Sequence, residues 1–215
     1  GGKLLRGALS LFVAESVGCS ESDALPVALA VELMHAASLV YDDIADSSAV
    51  RRGRPSFWKR YGIGEAVTIP HVAMATAISL IAQHGGRDAV IESMSAWRLA
   101  AMGQLWDLRA KEGRSSGVAY HQLISAKTGA VFGAALTLPL YASGKLSLVG
   151  KFREFGVKLG AAYQVVDDMS DLSRNVLDSG SAALLLKEAG PGYIEYGVRV
   201  LKRILLELRA LEAPG

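Results

Sequence analysis

Long runs of apolar residues at helical spacing constrain the fold of this chain more than any other feature. Leu29, Leu33, Ala37 and Val40 recur every three or four residues in a stretch that ends among the aspartates of 42–46. About 24 residues at ~1.5 Å each make a helix of roughly 36 Å, and the stretches that follow residues 151 and 193 have the same periodicity. No alternating run predicts a sheet. The sequence therefore predicts an all-α fold, a single-domain bundle of long helices around a deep central cavity.

Composition narrows the class of protein further. With 215 residues, of which 51% are hydrophobic and 20% charged, the chain is long enough for one domain with a full core and too apolar for a disordered protein. The net charge of +2 gives no electrostatic reason to expect a nucleic-acid partner. Because Cys19 is the only cysteine, an intrachain disulfide and a cysteine-built zinc site are excluded. We expect a reducing compartment, the cytoplasm.

Two stretches without charged residues raise the question of membrane insertion, since the mean hydropathy is +0.27. Residues 66–86 contain Pro70, His71 and Gln83, and residues 128–144 contain glycines and Pro139. A spanning helix needs about 20 mostly apolar residues. We therefore expect both stretches to form helices buried among other helices, and no membrane span.

Two aspartate clusters of identical spacing stand late in two of the apolar helices. The cluster at 42–46 reads Asp-Asp-Ile-Ala-Asp, and the cluster at 167–171 reads Asp-Asp-Met-Ser-Asp. Carboxylates at the C-terminal end of a helix repel one another and face the negative end of its dipole, so they need a positive partner. One such cluster is compatible with a solvated helix end, but two copies favour a site. Since Mg²⁺ binds carboxylates together with substrate phosphates, the pair predicts a metal-assisted diphosphate site.

Basic residues near the clusters support this interpretation. Arg51 and Arg52 follow the first cluster, where a loop can fold back over it, although alone they would more often be a solvated pair. His35 lies seven residues before Asp42 on the same helix face, where a lone histidine is more often a satisfied core residue. Lys127 interrupts an apolar stretch and therefore needs a phosphate or a nearby aspartate as its partner.

Taken together and in order, these motifs resemble those of the trans-prenyl diphosphate synthases, the family of farnesyl, geranylgeranyl and polyprenyl diphosphate synthases. The resemblance extends from residue 1 to about residue 172. Its elements in chain order are Gly2-Lys3 with Arg6, His35, the aspartates of 42–46, Arg51-Arg52-Gly53 with Pro55, Gly103-Gln104 with Asp107, Lys127-Thr128, and Tyr163-Gln164 through Asp171.

The resemblance implies an isoprenoid-synthase fold in which the two aspartate motifs face each other across the cavity. It also implies a Mg²⁺-dependent prenyltransferase. An allylic diphosphate bound with three Mg²⁺ ions would ionise, isopentenyl diphosphate would attack the allylic cation, and a proton would be lost. The product would be a longer trans-polyprenyl diphosphate, and the enzyme would be a homodimer like many members of the family.

The resemblance assigns a role to each site residue. The metal ligands would be Asp42, Asp46 and Asp167, assisted by Asp43, Asp168 and Asp171. The contacts to the allylic diphosphate would be Arg51, Lys127 and Gln164. The residues that hold isopentenyl diphosphate would be Lys3, Arg6, His35 and Arg52. Thr128 and Gln164 would place oxygen dipoles near the cation, so that Lys127, Thr128 and Gln164 have catalytic roles.

The sequence departs from the family pattern at three places. The family has helices before its basic opening motif, so we expect further residues upstream of Gly1. The family has a Gly-Lys loop after its second aspartate motif, whereas residues 173–181 have none and Lys187 is a poor substitute in an apolar stretch. Either the loop was lost or residues near 173–181 flank an omitted loop, and we favour omission from an otherwise single synthase domain over residues 1–215. Tyr41 stands just before the first aspartate, where the family varies.

The residues before the first aspartate motif predict the length of the product. In the family, a bulky aromatic four or five residues before the motif closes the floor of the product pocket. Ser38 and Ala37 stand there and are small, so we expect geranylgeranyl diphosphate or a longer product. Met34, one turn further down, is a flexible next barrier. The alternative is that the small pair only lets two helices pack closely.

Three other functions fit part of the pattern. A non-catalytic subunit of a heteromeric synthase would usually lack one aspartate motif, and both are intact here. A class I terpene cyclase would have Asn, Ser or Thr and Glu in its second motif, and it would have no use for Lys3, Arg6 and His35. A purely structural bundle would leave the two acidic clusters unexplained.

Overall fold

The computed structural model describes residues 4–115, 117–175 and 179–212, the last three of them by their backbone alone. Within these ranges the chain is almost entirely helical, which confirms the all-α prediction. The α-helices are α1 Leu5–Ser16, α2 Glu21–Ala45, α3 Phe57–Tyr61, α4 Ile63–Lys111, α5 Tyr120–Ile124, α6 Ala130–Ala142, α7 Val149–Ser173, α8 Gly180–Ala189 and α9 Tyr193–Glu212. A π-helical turn, Ser125–Gly129, joins α5 to α6, and short 3₁₀ turns span Leu146–Leu148 and Gly190–Gly192.

The described chain divides into two compact units. The first contains the residues up to Met94 together with Ala135–Val149, and the second contains Ser95–Ala134 together with the residues from Gly150 onward. The single synthase domain and its deep central cavity stay predictions. Within α4, Gly86 has φ 76° and interrupts the helical backbone.

In the first unit, α2 is the long helix that the apolar periodicity predicts. The hydroxyl of Ser20 accepts a hydrogen bond from the backbone N–H of Asp23, so Ser20 is the N-cap of α2. The core of this unit is apolar and includes Val27, Val31 and Ile81. Burial of this stripe, at roughly 1.5–3 kcal/mol for each large side chain, fixes the helix against its neighbours.

A two-residue hairpin follows α2 and was not predicted from the sequence. Strand β1, Val50–Arg51, pairs antiparallel with strand β2, Arg54–Pro55. The turn between them consists of Arg52 at φ 53° and Gly53 at φ 73°. Positive φ at both central residues is the signature of a type I′ turn, whose twist matches that of the flanking strands. The hairpin directs the chain back toward the end of α2.

In the second unit, pairs of glycines bring two helical segments into backbone contact. A Cβ atom on Gly156 of α7 would lie 2.7 Å from the Cα of Gly133, and a Cβ on Gly160 would lie 2.8 Å from the Cα of Gly129. Only glycine allows so close an approach. The result is that Thr128, beside Gly129, lies within hydrogen-bonding distance of Gln164 on α7. A separate apolar cluster, built around Tyr120, Leu123, Ile124, Val165, Leu185 and Ile204, forms the core of this unit.

By length and apolar composition alone, the stretches Glu21–Ala45, Ile63–Lys111 and Tyr120–Ala142 are each able to cross a membrane. Of these, the apolar window of Tyr120–Ala142 is 72% buried within the protein, as expected for an internal helix. The stretch 66–86 is less buried than the sequence predicted. Ala77 and Ile81 are fully buried, whereas Ile69 and Val72 are exposed.

Candidate functional site

The first aspartate cluster lies where α2 ends, in the first unit. Asp42 and Asp46 are partly exposed and lie one turn apart, and the backbone N–H of Asp46 donates to the carbonyl of Asp42 at 2.8 Å. Asp43 points elsewhere. It is only 2% exposed, and its Oδ1 accepts a hydrogen bond from Nε of Arg51 at 2.7 Å. This ion pair ties the hairpin to the end of α2.

The second aspartate cluster lies near the end of α7, in the second unit. Asp167 is exposed, and Asp171 forms an ion pair with Arg174 at 2.7 Å. Asp168 has no exposed surface, and its Oδ2 accepts a hydrogen bond from the Tyr120 hydroxyl at 2.8 Å. Its Oδ1 accepts from the side chains of Gln164, Ser181 and Ser179.

The two clusters therefore share the same internal division. In each, the second aspartate is buried against a partner in its own unit, while the first and the last are at least partly exposed. Successive residues of a helix point about 100° apart, whereas residues four apart share a face, so the spacing itself produces this division. A solvated helix end would not bury its second carboxylate.

The outward pairs have the chemistry of a Mg²⁺ site. Asp42 and Asp46 offer two hard oxygen donors from one helix face, and Asp167 offers another in the other unit. Mg²⁺ typically uses one or two carboxylates, keeps several waters and takes substrate phosphates for the rest. Among the described residues, no three His, Cys, Asp or Glu side chains form a group that could hold a metal ion.

Burial, and after it the positive charges of Arg6, Arg52 and Arg51, lower the pKa of the His35 imidazole to about 3. The ring is therefore neutral, and its Nε2 accepts a hydrogen bond from Nη1 of Arg6 at 2.9 Å. Arg6 thus contacts His35 directly, and the charges of Arg51 and Arg52 act on the same imidazole from the hairpin. This concentration of positive charge suits an anion such as a diphosphate. Lys3, which the sequence predicts as a fourth basic residue, lies outside the described residues.

Lys127 has the aspartate partner that its apolar surroundings require. Its Nζ donates to Oδ2 of Asp107 at 2.8 Å, and Asp107 is only 1% exposed. The contact depends on Gly103, since a Cβ there would lie 2.4 Å from the backbone N of Lys127. Next to it, both amide atoms of Gln104 are buried and have no hydrogen-bond partner among the described residues. An unsatisfied buried amide costs ~1–3 kcal/mol, so Gln104 is a candidate contact for a ligand.

Thr128 and Gln164, which the sequence predicts to act on the same cation, form a hydrogen bond with each other. Oγ1 of Thr128 donates to Oε1 of Gln164 at 2.7 Å. Burial raises the pKa of the neighbouring Asp168 carboxyl to about 6, although hydrogen bonds from Gln164, Ser181 and Tyr120 each lower it. Because a carboxyl group with this pKa is ionised at neutral pH, Asp168 accepts all four of the hydrogen bonds that the surrounding side chains donate to it.

The residues predicted to set product length lie on α2. Ala37 is 2% exposed, Met34 packs against the apolar core of the first unit, and the Ser38 hydroxyl donates to the carbonyl of His35 at 2.8 Å. Their influence on the product stays a prediction.

Sequence reasoning missed Tyr120 and Ser181, although both contact the second cluster. The signal for Ser181 was the Ser-Gly-Ser run at 179–181, which is typical of a helix start: Ser179 N-caps α8 by accepting from the backbone N–H of Ala182 at 3.1 Å.

The suspected loop near 173–181 falls partly on residues 176–178, which lie outside the described residues. Lys187, at the end of α8, lines a cleft of about 490 Å³ with Arg114 and Gln122.

Comparison with known proteins adds a family match. A family model described as polyprenyl synthetase matches residues 1–183. The chain is 34% identical over 200 residues to a hexaprenyl pyrophosphate synthase of Saccharolobus solfataricus, covering 92% of this chain and 69% of that protein. It is 35% identical over 171 residues to a geranylfarnesyl diphosphate synthase of Methanosarcina mazei, covering 79% of this chain and 57% of that protein.

A solved structure supports the fold. An isoprenoid synthase family member from Thermotoga neapolitana is 31% identical and superposes with a TM-score of 0.81, covering 99% of this chain and 80% of that one.

Proposed function

The chain belongs to the polyprenyl synthetase family, and from that premise we propose that it is a Mg²⁺-dependent prenyltransferase. It condenses isopentenyl diphosphate with an allylic diphosphate to make a longer trans-polyprenyl diphosphate. The observation that carries the proposal is the shared division of the two aspartate clusters, each of which buries its second carboxylate and leaves the first and last accessible. The duplicated arrangement suits a substrate whose charge is carried on a diphosphate.

The accessible carboxylates hold the metal in this proposal. Asp42, Asp46 and Asp167 are the principal ligands, Asp171 assists directly or through water, and the buried Asp43 assists through Arg51, with which it is paired. When bound, Mg²⁺ neutralises the charge that develops on the departing diphosphate. These carboxylates fix the position of that charge before the reaction begins, so that no reorganisation is needed during it.

The basic residues divide between the two substrates. Arg51 and Lys127 contact the allylic diphosphate, and each is already oriented by an aspartate, Asp43 for the one and Asp107 for the other. The cluster of Arg6, His35 and Arg52, together with Lys3, holds isopentenyl diphosphate. The neutral His35 accepts a hydrogen bond from Arg6 and thereby aims its guanidinium without adding charge of its own.

The reaction needs no nucleophilic side chain. The allylic C–O bond breaks to give an allylic cation and pyrophosphate, the double bond of isopentenyl diphosphate attacks the cation, and the resulting cation loses a proton to pyrophosphate. Thr128 and Gln164 lie together, and their oxygen dipoles stabilise the cation. Gln104, with its unpartnered amide, is an additional contact for the substrate.

The proposal extends to product, partner and location. Small residues at 37 and 38 favour geranylgeranyl diphosphate or a longer product, in line with the hexaprenyl and geranylfarnesyl names of the two relatives. We expect a homodimer in the cytoplasm.

Incubation with Mg²⁺, isopentenyl diphosphate and each allylic diphosphate in turn tests this function, with product length read by mass spectrometry. We expect elongated products from the parent protein. Their rate of formation should fall by at least about a hundredfold in Asp42→Ala and in Asp167→Ala, because each variant lacks a carboxylate that binds the Mg²⁺ stabilising the transition state. Arg54→Ala is the control, because this arginine lies in the hairpin and has no assigned role.

Two other outcomes would overturn the proposal in different ways. Pyrophosphate release without isopentenyl diphosphate, giving a hydrocarbon or an alcohol, would indicate a cyclase. No turnover with any allylic substrate, despite a folded protein, would indicate a subunit that needs another chain.

A further inference from the structure

Protein donors contact both oxygens of the Asp168 carboxylate. An ionised carboxylate has about four lone-pair sites. Oδ1 accepts from Gln164 at 3.0 Å, from Ser181 at 2.8 Å and from Ser179 at 3.3 Å, and Oδ2 accepts from Tyr120 at 2.8 Å. With no exposed surface either, this carboxylate is enclosed by protein donors.

The same carboxylate determines which way the Gln164 amide points. An ionised carboxylate only accepts hydrogen bonds, so the amide must turn its NH₂ group toward Asp168. Its carbonyl oxygen then faces the opposite way and accepts the bond from Thr128 at 2.7 Å. A hydrogen-bonded series therefore runs from Tyr120 through Asp168 and Gln164 to Thr128, and the acceptor-only aspartate sets its direction.

The first turn of α8 closes over this series and ties it to a second buried carboxylate. The backbone N–H of Ser181 donates to Oδ1 of Asp107 at 2.7 Å, while the Ser181 hydroxyl donates to Asp168. Gly180 is in backbone contact at the same place, since a Cβ there would overlap the carbonyl oxygen of Asp107. Asp107 in turn holds Lys127. Ser181 thus connects Lys127, which Asp107 holds, with Gln164, which Asp168 holds.

We propose that Asp168 is a positioning residue and not a metal ligand, that it orients the Gln164 amide toward Thr128, and that Tyr120 and Ser181 act through it. The inference rests on the proposed function, because the catalytic value of that orientation depends on the roles given there to Gln164 and Thr128. It gives the two adjacent aspartates of the second motif different roles, since Asp167 faces the metal and Asp168 faces the protein.

Metal dependence separates the two aspartates. Calorimetry follows the binding of a non-reactive allylic diphosphate analogue to the full-length protein as Mg²⁺ is varied. We expect Asp167→Asn to raise the half-saturating Mg²⁺ concentration by about tenfold or more, and Asp168→Asn to leave it within about twofold. If Asp168→Asn raises it as much as Asp167→Asn does, Asp168 is a ligand and the proposal is wrong.

Turnover tests the residues that act through Asp168. Tyr120→Phe and Ser181→Ala each remove one hydroxyl donor, and we expect kcat to fall by about tenfold while KM for isopentenyl diphosphate stays within about twofold. Tyr196→Phe is the matched control, because it removes a hydroxyl that packs near the same core but donates to Glu188. An equal loss in Tyr196→Phe would overturn the positioning role, as would an unchanged kcat in Tyr120→Phe.

A spectroscopic readout keeps the inference separate from the proposed function. The side-chain amide signals of Gln164 in a ¹⁵N correlation spectrum, assigned with Gln164→Leu, should shift in Asp168→Asn and in Tyr120→Phe and stay in place in Tyr196→Phe. Unmoved signals in both Asp168→Asn and Tyr120→Phe would overturn the inference. If the protein condenses no substrate pair, the proposed function fails, and the amide signals and the Mg²⁺ titration still decide what Asp168 does. If Asp168→Asn does not fold, Tyr120→Phe carries the test.

Discussion

His35 provides a sensitive test of the positive charge gathered at the first aspartate cluster. Its pKa is about 3 in the folded protein, against an ordinary value of 6.5. As the pH falls below about 6.5, the His35 imidazole becomes protonated in the unfolded chain and stays neutral in the folded chain, so the free energy of unfolding decreases. The stability that a neutral His35 provides is therefore full above that pH and is lost toward pH 3.

We expect His35→Gln to weaken this acid sensitivity, because glutamine keeps an acceptor for Arg6 and does not titrate. Urea unfolding of both proteins at pH 7.5, 6 and 5 measures it, and the difference between their pH slopes is the contribution of His35. Asp168 acts in the opposite sense, since its raised pKa lets the folded protein take up a proton below about pH 6, but it is common to both proteins and cancels. Identical slopes would show that the ring titrates normally.

At the scale of single residues, the sequence predicted which residues belong to the site better than it predicted which residues contact one another. Spacing identified the six aspartates, the family resemblance added Gln164, and the apolar surroundings of Lys127 left it the choice of a phosphate or an aspartate. Neither could identify Tyr120 or Ser181 as partners of Asp168, because those contacts join residues 48 and 13 positions apart and depend on helix packing. Helical spacing separates the second aspartate from the first and the last, but it does not identify the donors that bury it.

At the scale of elements, the glycine pairs between the α6 segment and α7 bring Thr128 to Gln164. We expect Gly156→Ala to lower the free energy of unfolding by about 1–3 kcal/mol, because its Cβ would meet backbone atoms at 2.7–2.9 Å that have no way to move aside. It should also reduce kcat, since separating the helices lengthens the Thr128–Gln164 contact.

Gly150→Ala is the matched control for Gly156→Ala. It lies in the first turn of the same helix with nothing near its Cβ position, so it should stabilise the helix by up to about 1 kcal/mol and leave kcat unchanged. Chemical unfolding and initial-rate kinetics check both variants. A Gly156→Ala protein as stable and active as the parent would show that the two helices do not need this contact.

The helices were largely predictable from the sequence, whereas the segments that connect them were not. Apolar periodicity predicted α2, α7 and α9. The hairpin at 50–55 was missed because two-residue strands carry no alternation to detect.

At the scale of the whole molecule, the near-zero net charge means that anion binding depends on local clusters. We expect inorganic pyrophosphate with Mg²⁺ to raise the thermal midpoint, in proportion to the logarithm of its concentration, and to stabilise the fold by about 2.7 kcal/mol at a hundred times its Kd. Asp42→Asn combined with Asp46→Asn should remove most of the Mg²⁺-dependent part of the shift, since only Asp167 remains of the three principal ligands, and should keep the part due to the arginines.

Differential scanning calorimetry with pyrophosphate alone, Mg²⁺ alone and both together measures these parts. Raising the ionic strength should weaken the arginine part first, because exposed charges are screened over about 8–10 Å. A double variant that responds to Mg²⁺ and pyrophosphate as the parent does would rule out Asp42 and Asp46 as metal ligands.

The turn of the hairpin has a consequence for which amino acids position 52 can tolerate. Arg52 stands at φ 53°, where a residue with a side chain is disfavoured by ~1–2 kcal/mol and glycine is not. Selection for stability alone would replace this arginine, and selection for substrate capture would keep it. In a library of variants at position 52, selection for survival of heating should therefore enrich glycine or asparagine. Selection for product formation should instead enrich arginine, so the residue recovered at position 52 identifies the selection that was applied.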